Sequence, residues 1–201
     1  MIMSRENGYG DAVRLAVEKL RQVDMPARCA ALGLAQPQVD GLSLRAFGLD
    51  LELRFSDFQL FISGSAVPVK VFDQILVLHY LLHERPVVFT GQLISFREFT
   101  AGPFYWGPFC ARSVRPLEKR FGNNIQQLQQ NLNRFDWVPV AIGDLGARIH
   151  VIGNLYVTLI YRIGDDELPP AADLLFDAAV KPIYNAEDAA VLGSRICLGL
   201  L

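Results

Sequence analysis

The sequence predicts an α+β fold, in which antiparallel hairpins pack on a buried central helix and several flanking helices. One observation is the two-residue repeat in LELRF, where Leu51, Leu53 and Phe55 alternate with charged residues. Another is VKVFDQILVLHYLLHE, a helical segment that is apolar nearly all round and therefore belongs inside a core. Strand patterns also occur as neighbouring pairs and helical patterns in groups, unlike the strict alternation of a doubly wound sheet.

The N-terminal part of the sequence predicts a helical segment. The stretch DAVRLAVEKLRQV has apolar residues at helical spacing, with Asp11 placed to stabilise the helix N-terminus. A shorter helix follows Pro26 and is expected to end at Gly33. We therefore predict an N-terminal helical segment over residues 1–41 and a single α+β domain over residues 42–201.

The next part of the sequence predicts strands and then the apolar helix. Residues 42–62 read as three short strands joined by hairpin turns, with Gly48 in the first turn. The apolar helix is expected from Val71 to His83, and Pro86 prevents its continuation. The stretch ISFREFTAGPFYWGPFCARSVRPLEKRFG follows, and its two Gly-Pro pairs predict an open aromatic loop.

The C-terminal part predicts more helices and another hairpin. PLEKRFG and NIQQLQQNLNRF read as two helices separated by Gly122. ARIHVI and LYVTLIYR read as the strands of a hairpin, because Gly153 and Asn154 between them suit a tight turn. A polar loop leads to a short strand in LLFDAAV, and a closing helix follows Asn185, a suitable N-cap residue.

The composition excludes several classes of protein. The 201 residues are 51% hydrophobic and 20% charged, which is typical of a globular domain and excludes a disordered chain. A net charge of −2 without a basic run argues against nucleic acid as a partner. No apolar run approaches the ~20 residues of a membrane helix. Three widely spaced cysteines exclude a disulfide framework, so we expect a cytoplasmic protein with no membrane partner.

The aromatic stretch between Ile94 and Gly122 is the strongest candidate for a binding site. Arginines near flat rings bind carboxylate or phosphate groups and stack on the rings. We hypothesise a cleft for a small anionic or flat aromatic ligand, held open by the Gly-Pro pairs. The alternative is a core hinge in which the phenylalanines fill space and the arginines form internal salt bridges. The candidate residues are Arg97, Glu98, Tyr105, Trp106 and Arg112.

Other polar residues give weaker signals. His79 and His83 share a face of the predicted helix, but the sequence suggests no third metal ligand. The preferred interpretation is that His79 is a core histidine and that His83 lies near the helix end, where a positive charge is favoured. The acidic run DDE lacks calcium-loop spacing and reads as a solvated loop. Asp177 follows a strand, where it either serves a site or caps a neighbouring turn. We therefore predict no metal site and keep His79 and Asp177 as candidates for ligand binding.

The segment QILVLHYLLHERPVVFTGQLISFREFTAGPFYWGPFCARSVRPLEKRFG, together with LLFDAAV and NAEDAAVLG, resembles a family of uncharacterised proteins defined as a domain of unknown function. The resemblance covers roughly residue 42 onward and implies a distribution mainly in anaerobic bacteria and archaea. It also implies that some relatives carry an iron–sulfur segment, reminiscent of corrinoid iron–sulfur proteins. The N-terminal part here has only Cys29, so such a cluster would come through a partner. The matching positions, which have no established role, are His79, Tyr80, Ser95, Phe96, Arg97, Glu98, Phe109, Arg112, Asp177, Glu187 and Asp188.

Two functions of different classes agree with these features. The first is a small-ligand-binding or accessory domain, which the resemblance would place in anaerobic redox or one-carbon metabolism with an iron–sulfur or corrinoid protein as partner. The second is an enzyme for a small anionic substrate, with His79, Glu98 and Asp177 as acid–base residues and Arg97 and Arg112 as anchors. The first is favoured because the sequence shows neither an evident nucleophile nor a metal-ligand set, and no cofactor is specified.

Overall fold

The computed structural model describes residues 3–201, with side chains from residue 9 onward. The chain divides into two compact units, Met1–Val87 and Val88–Leu201. Each unit combines helices with antiparallel strands, which confirms the predicted α+β class. The division into an N-terminal helical segment over residues 1–41 and a single α+β domain over residues 42–201 stays a prediction.

The first unit joins three helices to a small antiparallel sheet of strand order β3-β2-β1 within the described residues. Helix α1 begins well before Asp11, which instead lies 3.7 Å from Arg14, so the prediction that Asp11 stabilises the helix start is wrong. The helices are α1 (Met3–Leu20), α2 (Met25–Ala31) and α3 (Val71–Leu82). The strands are β1 (Gly41–Ala46), β2 (Leu49–Arg54) and β3 (Gln59–Ile62).

The predicted hairpins of the first unit form where the sequence placed them. Phe47 and Gly48 both have positive φ, at 52° and 76°, which is the backbone that a tight two-residue hairpin turn requires. Gln74 of α3 connects the helix to the second turn, because its side-chain amide donates to the Phe58 carbonyl at 2.9 Å. Gln59 in turn donates to the Gln74 side-chain oxygen at 2.9 Å. Helix α3 is therefore tied to the hairpin sheet by hydrogen bonds as well as by apolar packing.

The second unit is built on an antiparallel sheet of strand order β5-β6-β7-β8-β4. Its strands are β4 (Leu93–Ile94), β5 (Trp137–Val140), β6 (Leu145–Ile152), β7 (Leu155–Arg162) and β8 (Ala171–Asp177). Its helices are α4 (Gly102–Arg112), α5 (Val114–Phe121), α6 (Ile125–Leu132) and α7 (Ala186–Gly199), with short 3-10 helices at Phe96–Glu98 and Ala178–Val180. Strands β4 and β5 were not predicted, because one has two residues and the other contains Pro139.

The two faces of this sheet have different surroundings. Val157 of β7 pairs with Phe176 of β8, and the Phe176 ring lies 6.2 Å from the ring of Phe109 in α4. Thr158, the next residue, pairs with both Arg148 and Leu175. Because neighbouring strand residues point to opposite faces, α4 covers the Phe176 face and Arg148 lies on the other.

Among the described residues, no helix combines the length and the apolar composition that are needed to cross a membrane.

Burial of α3 gives a direct test of its place in the core. Leu78 is fully buried, so Leu78→Ala should lower the free energy of unfolding by about 2–5 kcal/mol. Leu15 is half exposed on α1, and Leu15→Ala should change it by about 0.5 kcal/mol or less. Urea unfolding of the three proteins measures both values, and equal effects of the two substitutions would contradict a buried α3.

Candidate functional site

Helix α4 occupies the stretch that the sequence predicted to be an open aromatic loop, so that prediction is wrong. The first Gly-Pro pair lies in the first helical turn, where proline is tolerated because the N–H groups have no intrahelical partner. Pro108 lies inside the helix and removes one hydrogen bond. Burial of Phe109 and Cys110 on the inner face stabilises the helix against that loss.

Phe109 fixes the position of α4 in the second unit. Its ring stacks on the ring of Phe96 at 4.2 Å between centroids, with the planes within 1° of parallel. On its other side lies Gly193 of α7, where an added Cβ would come within 2.5 Å of the Phe109 ring. The start of α4 is also closely packed, because a Cβ on Gly102 would overlap the Phe96 carbonyl oxygen. The orientation of α4 therefore depends on two glycines and one aromatic stack.

The opposite side of α4 is exposed and aromatic. Phe104 is 88% exposed and Tyr105 is 58% exposed, which is unusual for rings of this size. Phe104, Pro108 and Arg112 follow one another at a spacing of four residues, Tyr105 borders this row, and all four are exposed. We call Phe104, Tyr105, Pro108 and Arg112 the outer face of α4. Exposed aromatic and arginine side chains are characteristic of binding surfaces.

Two of the predicted site residues are in direct contact. The guanidinium carbon of Arg97 lies 4.5 Å from the centroid of the Trp106 ring, which is a cation–π interaction. The Trp106 ring also packs 5.7 Å from Phe109. Arg97 is thus held beside α4 by an aromatic ring, and its charge is not neutralised by that contact.

The SFRE segment forms a short 3-10 helix, and Glu98 stabilises that local structure. The Ser95 N–H donates to Glu98 Oε1 at 2.8 Å, as in a capping box. The second carboxylate oxygen lies 3.9 Å from Lys181 Nζ. The Glu98 side chain therefore does not pair with Arg97 or Arg112, the arrangement that would have made the cluster a purely structural salt bridge.

The region around α4 carries unneutralised positive charge. Residues 94–122 contain five cationic side chains and only two carboxylates. Besides Glu98, the other carboxylate belongs to Glu118, which accepts the Ala172 N–H at 2.9 Å. Within the described part of the chain, Arg112, Arg115 and Lys119 form no ion pair. This surface is therefore positive in a chain whose net charge is −2.

Asp177 is a buried structural carboxylate. It accepts the N–H groups of Thr90, Gly91 and Ala179 at 2.8–3.2 Å, and the Thr90 hydroxyl at 2.9 Å. It is also the N-cap of the 3-10 helix Ala178–Val180. The turn-capping interpretation of Asp177 therefore describes its contacts, and they extend to the loop before β4.

The histidine and acidic signals do not combine into a metal centre. His79 belongs to the first unit, whereas the other predicted site residues belong to the second. His83 lies just after α3, where burial and the nearby guanidinium groups of Arg28 and Arg85 lower its pKa. The expected positive charge on His83 is therefore disfavoured. Among the residues that the structure describes, no group of three or more His, Cys, Asp or Glu side chains could hold a metal ion.

The acidic loop of β7 and β8 is a turn. Asp165 accepts the N–H groups of Leu168 and Glu167 at 2.8 and 2.9 Å, and these bonds lower the pKa of its carboxyl group.

The cysteines Cys29, Cys110 and Cys197 are all buried, and burial raises the pKa of each thiol. Protonated thiols are weak nucleophiles, so none of the three is prepared for covalent catalysis.

One side-chain cluster in the second unit was not predicted from the sequence. Arg148 and His150 alternate along β6 and lie on the same face as Tyr156 of β7. The loop before β4 adds Phe89, whose ring lies 5.2 Å from that of Tyr156. The alternation of polar residues in an otherwise apolar strand was visible in ARIHVI, but the contribution of the distant Phe89 was not.

The chain belongs to the family described as Domain of unknown function (DUF3786), whose model matches residues 24–198. The match confirms the family resemblance and extends it to α2. The distribution in anaerobes and the iron–sulfur segment of relatives stay predictions. Neither a curated protein nor a solved structure gives a significant match.

The contact between Phe109 and Gly193 can be tested by replacing each of two glycines with alanine in separate variants. Gly193→Ala should lower the free energy of unfolding by about 1–3 kcal/mol, since the new methyl group overlaps the Phe109 ring. Gly10→Ala in α1 is the matched control, because a Cβ there meets nothing within 4 Å. It should raise stability by about 0.5–1 kcal/mol through helix propensity. Urea unfolding measures both, and a stabilising Gly193→Ala would show that α4 and α7 are not held this closely.

The Asp177 contacts predict a second effect on stability. Asp177→Asn should lower the free energy of unfolding by about 1–3 kcal/mol, because the amide has one acceptor oxygen for several buried donors. Asp165→Asn should cost about 0.5 kcal/mol or less, since asparagine is also a good turn residue and the loop is exposed. Thermal and urea unfolding compare the two, and equal losses would argue against a special role of Asp177.

Proposed function

We propose that the protein is a non-catalytic binding domain and that the outer face of α4 docks an acidic segment of a partner protein. The observation that carries this proposal is the 88% exposure of Phe104 and 58% exposure of Tyr105 beside arginines that form no ion pair with any described carboxylate. An exposed aromatic surface has a hydration cost that docking removes. Tyr105 and Arg112 are also of the residue types that dominate binding energy at protein interfaces.

The shape of the surface favours a protein segment over a small molecule. Small-molecule sites are concave and bury most of their ligand. Phe104, Tyr105 and Arg112 instead project from the exposed side of a helix. An extended or helical segment of a partner can lie along such a surface and cover several turns of it. The sequence-based cleft for a small anionic ligand thus becomes a proposed docking surface for a larger anionic partner.

The charge of the surface supports an acidic occupant. Glu98 and Glu118 are used in hydrogen bonds to backbone N–H groups, which leaves Arg112, Arg115 and Lys119 to meet external carboxylates. Guanidinium groups bind carboxylates through two parallel hydrogen bonds, which gives both affinity and orientation. We keep as part of the proposal that the partner is an iron–sulfur or corrinoid protein of anaerobic redox or one-carbon metabolism, the class that the family resemblance implies.

The enzymatic alternative has less support. It requires the carboxylates of Glu98 and Asp177 to exchange protons with a substrate, and both accept backbone hydrogen bonds instead. A general acid or base must lie within hydrogen-bond reach of its substrate, and the printed contacts of these carboxylates are with the protein itself. Binding without chemistry needs neither residue to be free, so the contacts support the binding function.

The docking surface predicts charge-dependent binding of an acidic peptide. The probe is a short fluorescein-labelled peptide of alternating glutamate and leucine, measured by fluorescence anisotropy. Arg112→Glu and Tyr105→Ser should each weaken binding about tenfold, which corresponds to about 1.4 kcal/mol. Binding by the parent protein should also weaken as salt is raised, because exposed ion pairs are screened.

Matched substitutions away from α4 serve as controls. Arg21→Glu reverses an exposed charge on α1, and Leu198→Ser removes a half-exposed apolar side chain on α7. Both should bind the peptide like the parent protein. Equal affinity for a peptide with glutamine in place of glutamate, or unchanged binding by Arg112→Glu, would refute the acidic docking surface.

A further inference from the structure

Two strands and one loop bring an arginine and two aromatic rings together in the second unit. Arg148 of β6 pairs with Thr158 of β7, two residues from Tyr156, so Arg148 and Tyr156 point to the same face of the sheet. The guanidinium carbon of Arg148 lies 4.9 Å from the Phe89 ring centroid and 5.6 Å from the Tyr156 ring centroid. The rings are steeply inclined to each other, at 76°. They therefore form two walls against one guanidinium group.

Arg148 has no oxygen acceptor among the described residues. Its Nε is buried and makes no hydrogen bond, and the guanidinium forms no ion pair with any described carboxylate. Arg162 of the neighbouring strand shows the contrast, because it donates to Asp173 Oδ2 at 2.9 Å. The aromatic rings favour the positive charge, but they leave the N–H edge unpaired. A buried charged donor without an acceptor calls for a functional explanation.

The wall formed by Phe89 is held in place. The N–H groups of Thr90 and Gly91, which follow Phe89 directly, donate to the buried carboxylate of Asp177. Phe89 itself remains 36% exposed, so its ring has access to solvent. Asp177 thus positions the loop so that an open aromatic surface lies beside Arg148 before any ligand arrives, which reduces the entropy lost on binding.

We propose that Arg148, Phe89 and Tyr156 form a binding site for the oxyanion of a small molecule, either a carboxylate or a phosphate group. The oxyanion accepts hydrogen bonds from the Arg148 guanidinium, which suits both groups in a bidentate geometry. The apolar part of the same molecule lies against the exposed Phe89 ring. In this site Asp177 is a positioning residue, because it acts through the Phe89 loop and does not touch the ligand.

This site is independent of the docking surface on α4. Phe176 faces α4, whereas Arg148 lies in register with Thr158 and Leu175 on the opposite face of the sheet. Substitutions on the outer face of α4 should therefore leave oxyanion binding unchanged, and Arg148 substitutions should leave peptide binding unchanged.

The Nε–H of Arg148 provides a direct test by NMR. In 15N-labelled full-length protein, the arginine Nε–H signals are followed during titration with benzoate, with inorganic phosphate and with benzamide, the uncharged analogue of benzoate. The Arg148 signal, assigned by its loss in Arg148→Lys, should shift and saturate with at least one of the two anions. A stronger response to benzoate or to phosphate identifies which oxyanion the site prefers. Benzamide should give no saturating shift.

Two variants complete the test. Arg148→Lys keeps the charge but loses the planar guanidinium fork, and it should bind the preferred anion about tenfold more weakly, as obtained by fitting the rise in Tm against anion concentration. Arg162→Lys is the control on the neighbouring strand and should retain parent affinity. The proposal is overturned if neither anion saturates the Arg148 signal in the parent protein, or if benzamide matches benzoate. The titration of the parent protein decides the question even where a variant folds poorly.

Discussion

The packing of one phenylalanine organises the second unit. Phe109 lies between the Phe96 ring at 4.2 Å and the backbone of Gly193, and this contact fixes how closely α4 approaches α7. A helix that contains Pro108 would be weak by itself, because an internal proline removes a hydrogen bond and strains the preceding turn. Burial of its inner face supplies the stability that its own backbone lacks. The rotation that buries Phe109 and Cys110 places Phe104 on the opposite side of the helix, where it is exposed.

The carboxylates and several arginines of this unit have different roles among the described residues. Asp177, Glu98 and Glu118 accept backbone hydrogen bonds and hold turns or strands in place. These carboxylate oxygens therefore take part in contacts that stabilise the fold. Several arginines, by contrast, have aromatic contacts or solvent around them and no carboxylate partner in the described part of the chain, including Arg148 beside Phe89 and Arg97 on Trp106. An arrangement in which the carboxylates are hydrogen-bonded and the guanidinium groups are available is suited to binding anions.

The two proposed sites lie on opposite faces of the same sheet and suit different ligands. The outer face of α4 is convex and exposed, which fits a segment of another protein. The Arg148 cluster is partly enclosed by two rings, which fits the charged end of a small molecule. An accessory domain that holds a partner on one face and a small anion on the other is consistent with both sets of contacts. Membership of the DUF3786 family agrees with the sequence resemblance and leaves the activity to be established by such experiments.

The sequence by itself determined the elements whose signals are local. The hairpins around Gly48 and Gly153, the buried helix α3 and the N-cap Asn185 all follow from periodicity and turn chemistry within a few residues. It also singled out Arg97, Trp106, Tyr105 and Arg112, because aromatic and arginine residues were close in the chain. Only the tertiary structure decided that the Gly-Pro stretch is a helix, since the burial of Phe109 against Phe96 and Gly193 outweighs local propensity. The Arg148 cluster likewise needed the fold, because it joins Phe89 to strands that lie far along the chain, and no local pattern records contacts between distant residues.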